Sequence, residues 1–380
     1  MIIYRGIAMK VKLTSKVLAL AGFAVTAAVV AAPVSAMAQE PLKVYVSAGF
    51  DGNTWMDASL NLLKALTKTP EMKDKVQLEV QSARGDAQVQ LQQINAMVQA
   101  GADIIIAWPM SPTALNRGIR QACQQGVTVV TWDADVSEEC AYHVGIDNVK
   151  AGVQPAEWLA KELKGKGNVI YMGGIPGTRA DTLRSEGAKG VFAKHPDIKI
   201  IADVPSMYNP ATARQRFAEI VAARGWDNID GVFTQTGCDE FAKLEVEAGR
   251  TEFKPCAGNG SNGERILQLP KGSTPGALGI RGISMGSPPW AAPYALKLAL
   301  KAHAGETVEK HTVIPMPLFG NEDMVLCDKA DLAELKAKDW TCNAVPLDVA
   351  AANFFIDVWS KDVPELDLHS AQTGELPTSK

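Results

Sequence analysis

The chain has 380 residues, of which 47% are hydrophobic and 21% charged, and its formal net charge is −4. This length suits two domains of ordinary size, and the slightly acidic balance excludes a general nucleic-acid binder. A mean hydropathy near zero excludes a protein with many membrane spans.

The first 38 residues have the three parts of a secretory signal peptide. Basic residues come first, then an uncharged apolar run over 17–32, then small residues at Ala36 and Ala38. This order predicts cleavage after Ala38. The alternative is a membrane anchor, but the run is shorter than the roughly 20 residues that a spanning helix needs.

Strands and helices alternate along the rest of the chain. The apolar patterns predict strands at 42–47, 76–80, 104–107, 127–132, 168–172, 198–204, 231–234 and 254–257. Between them they predict helices at 55–66, 86–100, 151–163, 182–194, 212–224 and 240–248. Continuous apolar strands separated by helices indicate parallel sheets covered on both faces. Because the alternation continues past residue 147, we expect two doubly wound units in succession.

Six cysteines follow the predicted signal peptide, and none forms a Cys-x-x-Cys pair, so metal-binding spacing is absent. The sequence leaves their connectivity open. Pairing in sequence order is the simplest arrangement, because it closes three short loops: Cys123 with Cys140, Cys238 with Cys256, and Cys327 with Cys342. Disulfides are expected in an oxidising compartment, and six reduced buried thiols are the alternative.

In an open parallel sheet, ligands bind outside the carboxyl ends of the strands. Polar and aromatic residues collect at these ends, at 47–53, Trp108, Asp133, 173–178, Thr236 and Asn259. The glycine-rich segment 173–178 lacks the Gly-Lys-Ser/Thr ending of a phosphate loop, which favours a tight turn between strand and helix. The five histidines are scattered and no Gly-x-Ser-x-Gly elbow occurs, so binding without catalysis is the expected activity.

Seven segments in order carry a resemblance to a known family: 46–56, 131–133, 145–148, 174–178, 184–187, 231–234 and 257–260. Together they resemble the sugar-binding proteins of bacterial ABC importers, in the ribose-binding branch of the type I periplasmic binding proteins. The resemblance covers about residues 42–318. It implies an α/β fold of two doubly wound Rossmann-like lobes joined by a three-strand hinge, with crossings near 146–147, 286–287 and 315–316.

The resemblance also implies domain boundaries. After the signal peptide that the residue pattern predicts at 1–38, it places the N-terminal lobe at 39–146 plus 287–315 and the C-terminal lobe at 147–286 plus 316–360. The residues after Leu318 form an extension, which we expect to dock on a lobe and to bury Phe354, Phe355 and Trp359. The polar end of the chain, 361–380, is expected to be loose.

A ligand site between the lobes is implied residue by residue. On the first loop, Asn53, Trp55 and Met56 take the places of an asparagine and two aromatics, and Asp51 lies beside them. Asp133, Arg184, Tyr208 and Asn259 match four further positions, and Trp108 and Thr236 lie at neighbouring strand ends. Carboxylates and amides suit sugar hydroxyls, and aromatic faces suit the ring. The alternatives are a cap or turn role for Asp133 and Asn259, a solvated charge for Arg184, and core packing for Trp55 and Tyr208.

The implied function is a periplasmic solute-binding protein, soluble after signal cleavage. It would capture a monosaccharide or polyol by hinge closure and deliver it to the membrane permease of an ABC importer, with no cofactor, metal or nucleic acid. A chemoreceptor or sensor kinase is a further candidate partner. The alternative is an exported α/β enzyme acting on a sugar, which would need a nucleophile or acid–base pair that the sequence lacks. The residue pattern does not give the identity of the sugar, and Met56 and Ala134 depart from the ribose-binding pattern.

Overall fold

The computed structural model describes residues 40–377 and, before them, Lys10 and Lys12. Apart from these two lysines, the predicted signal peptide lies outside the described residues. So does the side chain of Asn259. Residues 40–377 belong to one compact unit.

Two six-stranded sheets form the frame of this unit. The first sheet contains β1 (Leu42–Ala48), β2 (Val76–Ser82), β3 (Ile104–Trp108), β4 (Thr128–Trp132), β5 (Tyr142–Gly145) and β11 (His311–Val313), in the order β11-β5-β4-β3-β1-β2. The second contains β6 (Lys166–Gly173), β7 (Asp197–Pro205), β8 (Gly231–Thr234), β9 (Cys256–Asn259), β10 (Gly282–Met285) and β12 (Leu318–Gly320), in the order β12-β10-β9-β8-β6-β7. All pairings are parallel except that of β12 with β10.

Helices cover these sheets. They are α1 (Thr54–Thr67), α2 (Ala87–Gln99), α3 (Asn116–Gln124), α4 (Asn148–Glu162), α5 (Arg179–Phe192), α6 (Pro210–Arg224), α7 (Cys238–Glu247), α8 (Asn262–Gln268), α9 (Ala291–His303), α10 (Leu332–Ala337) and α11 (Leu368–Thr373). All five residues of β3 are buried, as a central strand covered on both faces requires. The doubly wound α/β prediction is confirmed. Among the described residues, no helix has the length and apolar character needed to cross a membrane.

The chain passes between the two sheets three times. It leaves the first sheet after β5 at Ile146 and Asp147, returns after β10 through Gly286, and leaves again after β11 at Ile314. The side chain of Asp147 also caps α4 by accepting a hydrogen bond from the backbone N–H of Lys150. These three passages form the hinge expected from the sequence.

Two glycines let α4 and α5 approach closely. A Cβ atom on Gly152 would lie 2.0 Å from the backbone oxygen of Arg184, and one on Gly187 would lie 2.4 Å from the backbone oxygen of Val149. Because real Cβ atoms do not approach backbone oxygens this closely, the crossing requires glycine at both positions. This close crossing of α4 and α5 determines where the side chain of Arg184 projects from α5.

The extension after β12 is held on both lobes. Phe354, Phe355 and Trp359 are buried, as expected. Residues 361–380 were expected to be loose, and the structure differs from this expectation. Val363 and Leu366 are fully buried, and α11 packs on α1. Its apolar residues are separated by prolines and polar residues, so no periodicity in the sequence revealed a buried face. Residues 378–380 lie outside the described range.

Three disulfides join the cysteines in sequence order: Cys123–Cys140, Cys238–Cys256 and Cys327–Cys342. The sequential pairing is therefore confirmed. The first bridge ties α3 to the segment before β5, and the second ties α7 to β9. The third closes a loop within the extension.

Candidate functional site

A cleft lies between the two lobes at the carboxyl ends of their parallel strands. About 380 Å³ of space between its walls, including the part that is open to solvent, is not filled by protein atoms. Its walls come from both lobes, the hinge and the extension: Phe50, Asn53, Trp55, Trp108, Asp133, Arg184, Tyr208, Gly286, Ser287 and Phe355.

The loop after β1 forms one wall of the cleft. Asn53 caps α1, because its Oδ1 accepts a hydrogen bond from the backbone N–H of Met56 at 2.9 Å. Its Nδ2 donates to the backbone oxygen of Tyr208 in the opposite lobe at 2.8 Å. Trp55 Nε1 donates to the backbone oxygen of Ser287 in the hinge at 2.7 Å. The loop is therefore tied to both the second lobe and the hinge.

Asp133 lies at the centre of the cleft, directly after β4. Its backbone has a φ of 59°, a left-handed conformation that aspartate tolerates better than most residues. The carboxylate is buried, and its two oxygens have different partners. Oδ2 accepts from Trp108 Nε1 at 2.9 Å, and Oδ1 accepts from Arg184 Nη2 at 2.9 Å.

Arg184 reaches this carboxylate from α5 in the other lobe. It is only 6% exposed, and its Nε donates to Asn148 Oδ1 at 2.7 Å. Asn148 Nδ2 in turn donates to the backbone oxygen of Asp133 at 2.9 Å. Burial lowers the pKa of Arg184, but the nearby charge of Asp133 and other groups outweighs it, so the pKa is raised and the guanidinium stays charged. Asp133 and Arg184 lie on opposite lobes, as predicted. The sequence did not indicate that the two side chains bond directly to each other.

Aromatic rings complete the walls. Phe50 meets Trp108 edge to face at 4.8 Å between centroids. Tyr208 packs over Gly174, where a Cβ atom would lie 2.2 Å from the phenol ring. Its hydroxyl donates to Gln235 Oε1 at 2.9 Å, and burial raises the pKa of the phenol, which keeps it a neutral donor.

Some predicted site residues do not reach the cleft. Met56 is fully buried in the core of the N-terminal lobe. Asp51 is exposed and accepts a hydrogen bond from Ser82 Oγ at 2.9 Å. The hydroxyl of Thr236 donates to the backbone oxygen of Gln235 at 2.6 Å, and Thr236 does not line the cleft. Asn259 remains a prediction, because its side chain is not described.

Four residues that line the cleft were not singled out from the sequence. Phe50 lies within 47–53, which the sequence analysis had already placed as a whole at the carboxyl end of a strand. Gly286 and Ser287 lie at the second expected crossing. Ser287 Oγ is buried and has no hydrogen-bond partner among residues 40–377, so it is available to a ligand hydroxyl. No sequence pattern indicated that Phe355 lines the cleft, because it lies in the extension, far along the chain from the other cleft residues.

The cleft offers polar and aromatic groups to a small ligand. Within residues 40–377, no group of three or more His, Cys, Asp and Glu side chains is placed to hold a metal ion. Two α/β lobes that enclose such a cleft across a three-passage hinge define a two-lobed ligand-binding protein.

Residues 44–307 match the family model of the periplasmic binding protein domain, which is more than half of the chain. The chain therefore belongs to this family, and the resemblance found in the sequence is confirmed. The family consists of solute-binding proteins and not of enzymes.

Two curated relatives show what the chain is similar to. A xylitol-binding protein of Mycolicibacterium smegmatis is 29% identical over 181 residues, which is 47% of this chain and 52% of the relative. The D-xylose-binding periplasmic protein of Escherichia coli is 29% identical over 128 residues, which is 33% of this chain and 38% of the relative. The matched stretch spans about half or less of these relatives.

A solved structure shows the same fold over nearly the whole chain. It is an ABC transporter solute-binding protein from Thermobispora bispora, with a TM-score of 0.70 and 22% identity. The match covers 89% of this chain and 98% of that one. At this identity the likeness concerns the fold alone.

Proposed function

We propose that the protein captures a monosaccharide or polyol between its lobes and delivers it to the membrane permease of an ABC importer. One observation carries the proposal. Asp133 and Arg184, from opposite lobes, meet in a buried polar centre that is surrounded by aromatic rings. The named ligands of the relatives, xylitol and D-xylose, belong to the same chemical class.

The polar centre keeps free bonding capacity for ligand hydroxyls. A carboxylate can accept about four hydrogen bonds and a guanidinium can donate five, and Asp133 and Arg184 use only part of this capacity. Ser287 Oγ adds a further group, and Trp55 and Phe50 offer faces to the C–H groups of the ligand. Because these groups come from both lobes, a ligand bonded to all of them favours the closed form over an open one.

The proposed setting is the periplasm, after removal of residues 1–38. Three disulfides suit an oxidising compartment. A chemoreceptor or sensor kinase is a further candidate partner. A sugar-processing enzyme is less well supported, because Asp133 is the one carboxylate among the described cleft residues and it is engaged with Arg184 and Trp108.

Calorimetric titration of residues 39–380 with xylitol, D-sorbitol, D-xylose, D-glucose and D-ribose tests the proposal. We expect micromolar binding of at least one probe, which corresponds to about −8 kcal/mol. Asp133→Asn and Arg184→Met should each weaken it by roughly 1–3 kcal/mol, because a hydroxyl in the closed cleft then lacks its partner.

Lys189→Met is the matched control. Lys189 lies on the same helix as Arg184, but it is partly exposed and pairs with Asp203 of its own lobe at 2.7 Å. The Lys189→Met variant should bind the probe as the wild type does. Wild-type affinity in both cleft variants would remove the pair from the site, and no binding of any probe would refute the proposed ligand class.

A further inference from the structure

One wall of the cleft comes from the extension and not from a sheet or its helices. Phe355 is 6% exposed and lines the cleft together with Trp55 and Ser287. Its neighbour Phe354 is buried to a similar degree, at 9% exposed, but does not line the cleft. The extension therefore contributes one specific ring to the site.

Backbone hydrogen bonds hold this part of the extension beside the carboxyl end of β9. Phe355 forms an antiparallel bridge with Ser261. The N–H of Asn262 donates to the backbone oxygen of Phe354 at 2.7 Å, and the N–H of Ile356 donates to the backbone oxygen of Gly260 at 3.2 Å. The backbone of Phe355 is thereby fixed on both sides.

A buried ion pair anchors the chain at Asp357, two residues after Phe355. Both terminal nitrogens of Arg265 bind the carboxylate of Asp357, at 2.8 and 2.5 Å, and Arg265 is fully buried. Bidentate pairs of this kind fix orientation as well as distance. On the other side, the hydroxyl of Thr54 in the N-terminal lobe donates to the backbone oxygen of Asn353. Phe355 is thus positioned by contacts to both lobes.

We propose that Phe355 is a specificity-determining residue that sets the length of ligand accepted by the cleft. This inference rests on the proposed function of the cleft. The ring of Phe355 forms one wall of the cleft, and its backbone is held from both lobes, so an added carbon on the ligand must displace the ring or its supports. Well-packed walls resist such displacement.

The test uses two pairs of probes that differ by one carbon: xylitol with D-sorbitol, and D-xylose with D-glucose. The readout is the ratio of the affinity for the five-carbon probe to that for the six-carbon probe, measured by calorimetry. Phe355→Ala should lower this ratio at least tenfold, and Phe355→Trp should raise it. Phe354→Ala is the matched control and should leave the ratio unchanged while costing similar stability.

The outcomes separate the two proposals. If the wild type binds a probe but neither Phe355 variant changes the ratio, the inference about Phe355 is wrong and the proposed function stands. If Phe354→Ala changes the ratio as much as Phe355→Ala does, the effect is general loosening and the inference is again wrong. If the wild type binds none of these four probes, the inference about Phe355 fails; if it does not bind D-ribose either, the proposed function fails with it. Should Phe355→Ala not fold, Phe355→Leu and Phe355→Trp carry the same comparison.

Discussion

Glu245 should make the stability of the protein depend on pH in an unusual direction. This side chain of α7 is fully buried beside the Cys238–Cys256 disulfide. Its Oε1 accepts from the backbone N–H of Lys254 at 3.1 Å, and its Oε2 has no partner among residues 40–377. Burial raises the pKa of Glu245 from 4.5 to about 7, against the smaller lowering effects of Lys254 and Arg250.

The sign follows from proton binding. Because the folded-state pKa is above the unfolded value, the folded protein holds a proton that the unfolded chain has lost, and the free energy of unfolding falls as pH rises from about 4.5 through 7. At about 1.4 kcal/mol per pKa unit, the full shift amounts to at most about 3.5 kcal/mol. Burial also raises the pKa of the neighbouring Glu264, which acts in the same direction. Burial lowers the pKa of His143, which acts in the opposite direction.

Glu245→Gln isolates the contribution of this one group. Glutamine resembles the protonated carboxyl, so the variant should be more stable than the wild type by less than about 1 kcal/mol at pH 5 and by up to about 3 kcal/mol at pH 8. Both proteins contain Glu264 and His143. Subtracting the free energy of unfolding of the wild type from that of the variant at each pH therefore cancels the contributions of these two groups. The measurement is urea unfolding at pH 5, 6, 7 and 8.

Glu252→Gln is the control, because Glu252 is exposed in the loop after α7 and should show no pH-dependent difference. If the stability difference between Glu245→Gln and wild type is the same at pH 5 and pH 8, the reasoning is refuted. A variant that is less stable than wild type at pH 8 would refute it as well.

Two further predictions concern packing. Gly152→Ala should lower the free energy of unfolding by roughly 1–3 kcal/mol and weaken ligand binding, because the new methyl group forces α5 and Arg184 away from α4. Gly190→Ala lies on an exposed part of α5 with open space around it, and it should stabilise the protein by roughly 0.4–1 kcal/mol. Equal thermal denaturation midpoints for the two variants would contradict the argument that the crossing requires glycine. Removal of residues 361–380 should destabilise the protein, since Val363 and Leu366 are each worth roughly 1.5–3 kcal/mol of burial; an unchanged midpoint on thermal denaturation would show that this segment is dispensable.

The alternation of apolar strands and helices could be predicted from the sequence because it is a local property. The 104–107 run, for example, is apolar throughout, and the structure gives it the central strand β3 (Ile104–Trp108). The short strands β5, β10, β11 and β12 were not predicted, although β8 and β9, with four residues each, were.

The site was predictable where position in the sheet determines it. Asp133 and Trp108 follow central strands, so the rule that ligands bind at carboxyl ends found them. Met56 shows the limit of that approach: it is one residue from Trp55, but the turn of α1 directs it into the core. Position in a loop predicts proximity to a site, whereas the direction of each side chain depends on the helix that follows.

The sequence by itself determined the fold class and the carboxyl-end position of the cleft, because these depend on periodicity and strand order within short stretches of chain. It favoured the sequential pairing of the cysteines, which the structure decided. Only the tertiary structure decided that Arg184 bonds directly to Asp133, that Phe355 enters the cleft, and that the end of the chain packs on α1. The physical reason is separation along the chain. Such contacts join residues tens to hundreds of positions apart, and they form only once the lobes and the extension bring their surfaces together, which no local pattern records.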